Sequence, residues 1–406
     1  MRPGQNTVGL GTRIVDRLTE LTHPVRRVRR ASRGGTPEFD IAYLRTGPES
    51  LVPTVIIPGG PGLASTLPYG SVRRQATADG LDLIMIDHRG VGLSRSDLEG
   101  KPLPVSVMWV DDVLDDIAGV LDAEGVEKAN IVGSSYGSYL ASAFGQKYPE
   151  RVAGMLLDSA LQSPRDIEIE RETIRGLFWD SDSEMASIVR ELVLQGEDQR
   201  VLLDVIRAGF ELCGPEAVLA IMRLRRRGRK GLAWRALASY AARDASIKGI
   251  PDYYEFARTG AIGFRELDYG AVPDGLPLDP ALTYSQLAGY FPPFDGERRD
   301  LVAAAEQFDW PLVLLSGDRD IRTPAAIAQR TAELAPDAAF VQIQNGHSAL
   351  DTHPVALLKA AKLLAAGRAR ELPALGAVLS RLPKQGGGAL FARAVCLLAR
   401  ASKVGL

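Results

Sequence analysis

Cysteine is nearly absent: Cys213 and Cys396 are the only two in 406 residues. They lie far apart and in no metal-ligand spacing, so a disulfide scaffold and a zinc site have no support and free thiols are expected. No apolar run approaches the ~20 residues of a membrane-spanning helix. Residues 1–20 also lack the charged start, apolar stretch and small-residue cleavage site of a secretory signal, and cytoplasmic residence is the expectation. An excess of either charge is missing too, since 48 Lys+Arg against 50 Asp+Glu leave a formal charge of −2. With no long-range field to select nucleic acid or an anionic surface, the basic run Arg223 to Lys230 reads as solvated surface and no nucleic-acid partner is expected. What remains, 46% hydrophobic and 24% charged residues, is ordinary for a globular chain. Its length exceeds the ~250–300 residues at which one core stops growing, which calls for a main domain and a second unit.

From Phe39 to about Ala160, short apolar runs alternate with helical stretches, the rhythm of a largely parallel sheet. Thr54–Ile57, Leu81–Ile86 and Ala129–Val132 are near-continuous apolar runs, as strands covered on both faces require. Between them, Val107 to Leu121 has apolar residues at helical spacing, and Asp111, Asp112, Asp115 and Asp116 read as its solvated face. The strand rhythm stops at about Leu161 and gives way to helical stretches at Glu184–Leu194, Gln199–Leu212 and Pro215–Leu224. It returns at Pro311–Leu315 and Phe340–Ile343. The expected organisation is a core in two parts, 1–160 and 301–385, interrupted by a helical lid at 161–300. A tail at 386–406 follows, joined through Gly386-Gly387-Gly388. The tail carries Leu390, Phe391, Val395, Leu397 and Leu398 on one side and Arg393, Arg400 and Lys403 on the other. Docking on its own protein or a second copy is the plainer reading, and contact with a membrane surface the other.

Gly133-Ser134-Ser135-Tyr136-Gly137 sits between an apolar run and a small-residue helix. This is the context of a nucleophile elbow, in which a serine is held on a sharp strand-to-helix turn. Only Ser135 has glycine two residues away on both sides, so Ser135 is the candidate nucleophile. A serine hydroxyl needs a base. In the α/β-hydrolase fold the order along the chain is serine, acid, histidine, which removes His23 and His88. His347 follows an expected strand on a loop, whereas His353 precedes Pro354 at a helix start, where a surface or capping role is expected. His347 is therefore the candidate base. An acid should leave an intervening strand, and Ser316-Gly317-Asp318-Arg319-Asp320 offers two. For an oxyanion, the N–H of Tyr136 is one candidate donor and Gly60, in Pro58-Gly59-Gly60-Pro61-Gly62, the second.

In order and spacing, Gly59 to Gly62, Asp87 to Ser94, Gly133 to Gly137, Tyr148 to Val152, Gly317 to Pro324 and Gly346-His347 resemble the prolyl and tripeptidyl aminopeptidase group of α/β-hydrolases. The resemblance covers roughly Phe39–Ala160 and Pro311–Leu364. It implies an α/β fold with a mostly parallel sheet and a helical lid, and a triad of Ser135, Asp320 and His347, with Asp318 as a turn residue. No cofactor and no metal are implied. Pro58 replaces the histidine usual in prolyl aminopeptidases, and no motif is recognised in the insertion. Amide hydrolysis of small peptides is thus the leading expectation, carboxylester hydrolysis the second, and a non-catalytic hydrolase-like binding protein the third. An aminopeptidase would need lid carboxylates for a substrate ammonium. Asp166, Glu168, Glu170 and Glu172 are available, but a solvated acidic helix start is the plainer reading, and they are not counted as site residues.

Overall fold

The computed structural model describes residues 24–30, 37–242, 249–250 and 252–403. His23 and residues 1–20, which bear on the expectation of no secretory signal, lie outside them. The sheet is built from β1 (Arg26–Arg30), β2 (Phe39–Thr46), β3 (Thr54–Ile57), β4 (Leu83–Ile86), β5 (Ala129–Ser134), β6 (Val152–Asp158), β7 (Leu312–Gly317) and β8 (Ala338–Ile343). Their order is β1-β2-β4-β3-β5-β6-β7-β8, with the pairs β1/β2 and β2/β4 antiparallel and every other pair parallel.

The central strands are apolar on both faces because both are covered. Val55, Ile57, Ile84, Ile86, Leu312 and Leu314 face α2 (Val110–Ala123) and α3 (Tyr136–Lys147). Ile56, Leu83, Met85, Val313 and Leu315 pack on the other side, against α1 (Gly70–Ala78) and the later α12 (Pro354–Ala365).

Between β6 and β7 the described residues form helices and loops. The longer of these helices are α4 (Asp166–Phe178), α5 (Glu184–Leu194), α6 (Gln199–Cys213), α7 (Pro215–Arg226), α8 (Leu232–Ala241) and α9 (Phe256–Glu266). Helices α4 to α8 enclose an apolar cluster of their own, built on Ile174, Ile188, Leu202, Ile206, Val218 and Trp234. This helical cap rises from the edge of the sheet where strands β6 and β7 end. Helices α10 (Ala325–Leu334) and α11 (Ala349–Thr352) follow β7 and β8, and α13 (Gly387–Lys403) comes last. Among the described residues no helix is long and apolar enough to cross a membrane.

Three expectations are corrected. Cys213 and Cys396 are not free: a disulfide joins them across 183 residues, with Cα atoms 5.5 Å apart. Spacing along the chain could not show that α13 folds back onto α6. The acidic face of α2 is not wholly solvated either. Asp116 is buried and held by Arg89 at 2.7 Å and by Arg30 at 2.8 Å, an arrangement that needs an arginine from a loop beyond β4. His353, expected in a surface or capping role, is fully buried and makes no side-chain cap bond to α12.

The Arg89–Asp116 pair generates a prediction, because removing one partner of a buried ion pair leaves the other charge without compensation. Asp116→Ala should destabilise the fold by about 3 kcal/mol, at the low end because Asp112 also approaches Arg89 at 3.2 Å. Urea unfolding measures it; an unchanged midpoint would mean that the pair contributes nothing.

Candidate active site

Ser135 stands between β5 and α3 at φ 54° and ψ −123°, a left-handed backbone costly for a residue with a side chain. Two glycines permit the turn. A Cβ on Gly133 would lie 2.1 Å from the Gly137 carbonyl oxygen, and one on Gly137 would lie 2.2 Å from that of Ile57. Neither position has room for any side chain. The pattern read from the sequence is therefore a steric requirement of this turn.

His347 lies on the loop after β8, with Nε2 2.9 Å from Ser135 Oγ and Nδ1 3.1 Å from both carboxylate oxygens of Asp320. With its proton on Nδ1, facing the carboxylate, the ring leaves Nε2 to accept from the serine hydroxyl. Burial pushes the imidazole down, but the charge and hydrogen bond of Asp320 outweigh this and hold it above the ordinary histidine value. Burial likewise pushes Asp320 up, and the His347 charge with hydrogen bonds from His347, the Thr323 N–H and Ser159 brings it below the usual carboxylate range. Asp318 points elsewhere: its Oδ1 accepts from the Asn345 N–H at 3.0 Å. The structure thus brings Ser135, His347 and Asp320 together and keeps Asp318 apart.

The loop Pro58 to Gly62 lies against the elbow, since a Cβ on Gly59 would be 3.2 Å from that of Ser135. Gly60 has φ 128° and its carbonyl accepts from Tyr269 Oη at 3.3 Å. Tyr136 opens α3, and its buried ring ends 3.3 Å from His88 Nε2. His88 Nδ1 donates to the Arg89 carbonyl at 2.6 Å, and burial drives this imidazole down to about 4. It is therefore neutral and serves as an acceptor for the tyrosine hydroxyl.

Sequence reasoning passed over Asp158, which ends β6 behind the elbow. Its Oδ1 accepts from the Ala349 N–H at 3.0 Å; Oδ2 accepts from the Leu350 N–H at 3.1 Å and from Ser134 Oγ at 2.6 Å. It ties the strand before Ser135 to the helix after His347. Burial raises it to about 6, against the pull of those hydrogen bonds. The available signal was an aspartate closing an apolar run, Met155-Leu156-Leu157-Asp158.

A cavity of about 890 Å³ opens over Ser135 and His347 beneath the cap. Its charged lining comprises Asp166, Glu170, Glu211, Asp268 and Asp351, against Arg207 and Arg322. Of the acidic helix start, Glu168 and Glu172 are exposed and Asp166 is held by Arg330 at 2.6 Å. Glu170 reaches the cavity, 3.2 Å from Arg207, and burial raises it to about 7. Glu211, which carries no signal in the sequence, stands 3.1 Å from Arg322 and is also raised by burial. Among the described residues no group of His, Cys, Asp and Glu stands ready to hold a metal.

Sheet order, strained serine turn and inserted cap define the α/β-hydrolase fold, and residues 53–184 match the family model of that name, alpha/beta hydrolase fold. Among curated proteins, the chain is similar to a proline iminopeptidase of Neisseria meningitidis, 32% identical over 117 residues, which is 29% of this chain and 35% of that protein. It is also similar to a 2-hydroxymuconate semialdehyde hydrolase of Pseudomonas putida, 30% identical over 163 residues, or 38% and 52% of the two chains. The match thus spans about a third of the iminopeptidase and half of the second relative. Among solved structures, a proline iminopeptidase of Mycobacterium smegmatis superposes with a TM-score of 0.50 at 16% identity, over 85% of this chain and 98% of that one; the likeness is one of fold. The resemblance carried by the motifs is therefore met by relatives of that kind.

Asp158 yields a prediction. Both its oxygens accept backbone N–H groups, so an asparagine in either orientation sets its NH₂ against one of them. Asp158→Asn should displace the loop bearing His347 and leave an unsatisfied buried donor, costing about 1–3 kcal/mol. Labelling of Ser135 by a fluorophosphonate should slow with it. Wild-type unfolding and labelling would show that the loop is held by other means.

Proposed function

We propose that the chain is a serine hydrolase that works through an acyl-enzyme, with Ser135 as nucleophile, His347 as general base and Asp320 as the orienting acid. The observation that carries this reading is the continuous hydrogen-bonded chain Ser135–His347–Asp320 at the floor of the cavity. His347 Nε2 takes the hydroxyl proton as Ser135 Oγ attacks the substrate carbonyl carbon. The oxygen that becomes negative is held by the N–H groups of Tyr136 and Gly60. The imidazolium then gives its proton to the leaving amine or alcohol, and water, activated by the same ring, releases the acid. A binding protein without catalysis has no need of an aligned base and acid, so that reading is set aside.

We further propose amide bonds of small peptides with a free N-terminus as the substrates. Acidic residues outnumber basic ones around the cavity, a balance that suits an ammonium group, and proline iminopeptidases are among the relatives. A carboxylesterase would use the same machinery, favoured by the aromatic lining of Tyr253, Tyr254, Tyr269, Tyr284 and Phe391. The Cys213–Cys396 bond favours an oxidising compartment over the cytoplasm.

Turnover of aminoacyl and peptidyl amides, each with a free and an acetylated N-terminus, should be compared with that of acyl esters. Cleavage of the free amides with loss on acetylation is expected; ester turnover alone would favour the second reading. A fluorophosphonate should label Ser135, and wild-type turnover in Ser135→Ala would remove the nucleophile.

The pH dependence follows from His347, which must be neutral to accept a proton. Because Asp320 holds it above the ordinary value, kcat/KM should fall as pH drops through a limb above ~6.5. Asp320→Asn removes the charge that favours the imidazolium, so the limb should move to lower pH while kcat falls by up to ~10⁴. Asp318→Asn should leave the limb in place. A limb that does not respond to Asp320→Asn would mean that another group is titrating.

A further inference from the structure

The cavity is not enclosed by core and cap alone. After α12 the chain returns to the site, where Lys384 Nζ donates to the Gln344 carbonyl at 2.7 Å and to Asn345 Oδ1 at 3.3 Å, on the loop that leads into His347. At Gly388 the chain presses on the helix after His347: a Cβ there would lie 2.9 Å from the Asp351 carbonyl oxygen. Gln385 to Gly388 and Phe391 all line the cavity. The Phe391 ring is stacked on Tyr240 of α8, centroids 4.8 Å apart and planes 17° from parallel, and Tyr240 lines the cavity as well.

Beyond Phe391 the helix belongs to the cap. Val395 and Ala399 are buried in the cap's apolar cluster, and the disulfide ties Cys396 to Cys213. Cys213 ends the helix that carries Glu211, itself part of the cavity. The segment is thus anchored to the histidine-bearing loop through residues 384–388 and to the cap through residues 391–399. An element held at both places cannot move with one alone, so the space between them has a fixed limit on this side.

We propose that α13 and the glycine run before it form a specificity wall of the cavity, in which Phe391 limits the length of substrate that reaches Ser135 and the Cys213–Cys396 bond holds the wall in place. The inference rests on the reading of Ser135 as a nucleophile and extends it to what selects the substrate. Phe391 is half-buried, stacked along one face, and placed where the glycines leave no other side chain. Glycine at 388 is what allows the chain to pass this close to Asp351, and of the two large side chains that follow, Leu390 is exposed while Phe391 shapes the cavity.

The test measures rates at which Ser135 is labelled by two fluorophosphonates, one with an ethyl and one with a decyl chain, in wild type, Phe391→Ala, Phe391→Trp and Cys396→Ser. Labelling reports access to Ser135 whether the natural substrate is an amide or an ester. Phe391→Ala should raise the decyl-to-ethyl rate ratio by about tenfold or more, since a few methylenes admitted or refused in an apolar pocket are worth that much. Phe391→Trp should lower it. Cys396→Ser should raise it, in the same sense as Phe391→Ala, because the cap end of the wall is then no longer cross-linked. Unfolding midpoints are measured alongside. A ratio that is the same in all four proteins overturns the proposal and leaves α13 as a brace for the cap, and shifts in midpoint without shifts in ratio overturn it equally. If Phe391→Ala does not fold, the Trp variant decides, because a larger ring keeps the stack on Tyr240. Absence of labelling by both probes in wild type removes the hydrolase reading itself, and with it the substrate the wall would select. The two failures are therefore distinguishable.

Discussion

The left-handed backbone at Ser135 is the constraint on which the site depends. A residue with a side chain occupies it only where its surroundings supply the compensation, and here that comes from two close contacts. Gly133 lies under the carbonyl of Gly137, and Gly137 lies over that of Ile57. Strand β5, helix α3 and strand β3 thereby meet around one serine. Its hydroxyl stands clear of the turn, where a ring nitrogen from a distant loop can reach it.

Charge buried in the core is balanced by partners of opposite sign. Arg89, next to His88, is neutralised by Asp116, and Arg45 is held by Asp82 and Glu124 at 2.7 and 3.0 Å. Asp158 accepts the N–H groups that would otherwise be stranded at the start of α11. Each such group would be costly alone in an apolar setting. The bonds of Asp158 fix the segment that follows His347 relative to strands β5 and β6. Near the serine, where a carboxyl and an imidazole face each other, Asp320 and His347 shift in opposite directions, each favouring the charged form of the other.

The cap and the last helix bring a different kind of control. The cap has its own apolar cluster and presents carboxylates, Arg207 and aromatic rings to the space over Ser135. Helix α13 joins that cluster through Val395 and Ala399 and is cross-linked to α6. The resulting enclosure has three contributors, sheet loops, cap and final helix, of which the first carries the motifs read from the sequence.

What the chain determines by itself is local. Unbroken apolar runs such as Thr54–Ile57 mark strands covered on both faces, and helical periodicity marks helices such as Glu184–Leu194, because burial of one stripe or two faces leaves its imprint on neighbouring residues. The glycine spacing around Ser135 is legible for the same reason, the steric conflict arising within that short turn. Tertiary structure decided the rest. Asp158, Glu211 and Phe391 stand among ordinary residues, and their place at the site depends on distant chain segments, as when Asp158 accepts from Leu350 across 192 positions. The Cys213–Cys396 bond and the burial of Asp116 and His353 share that origin. A residue's neighbours along the chain set its conformation, but its dielectric surroundings, its charge partner and the ligand space before it are set by what the fold packs against it.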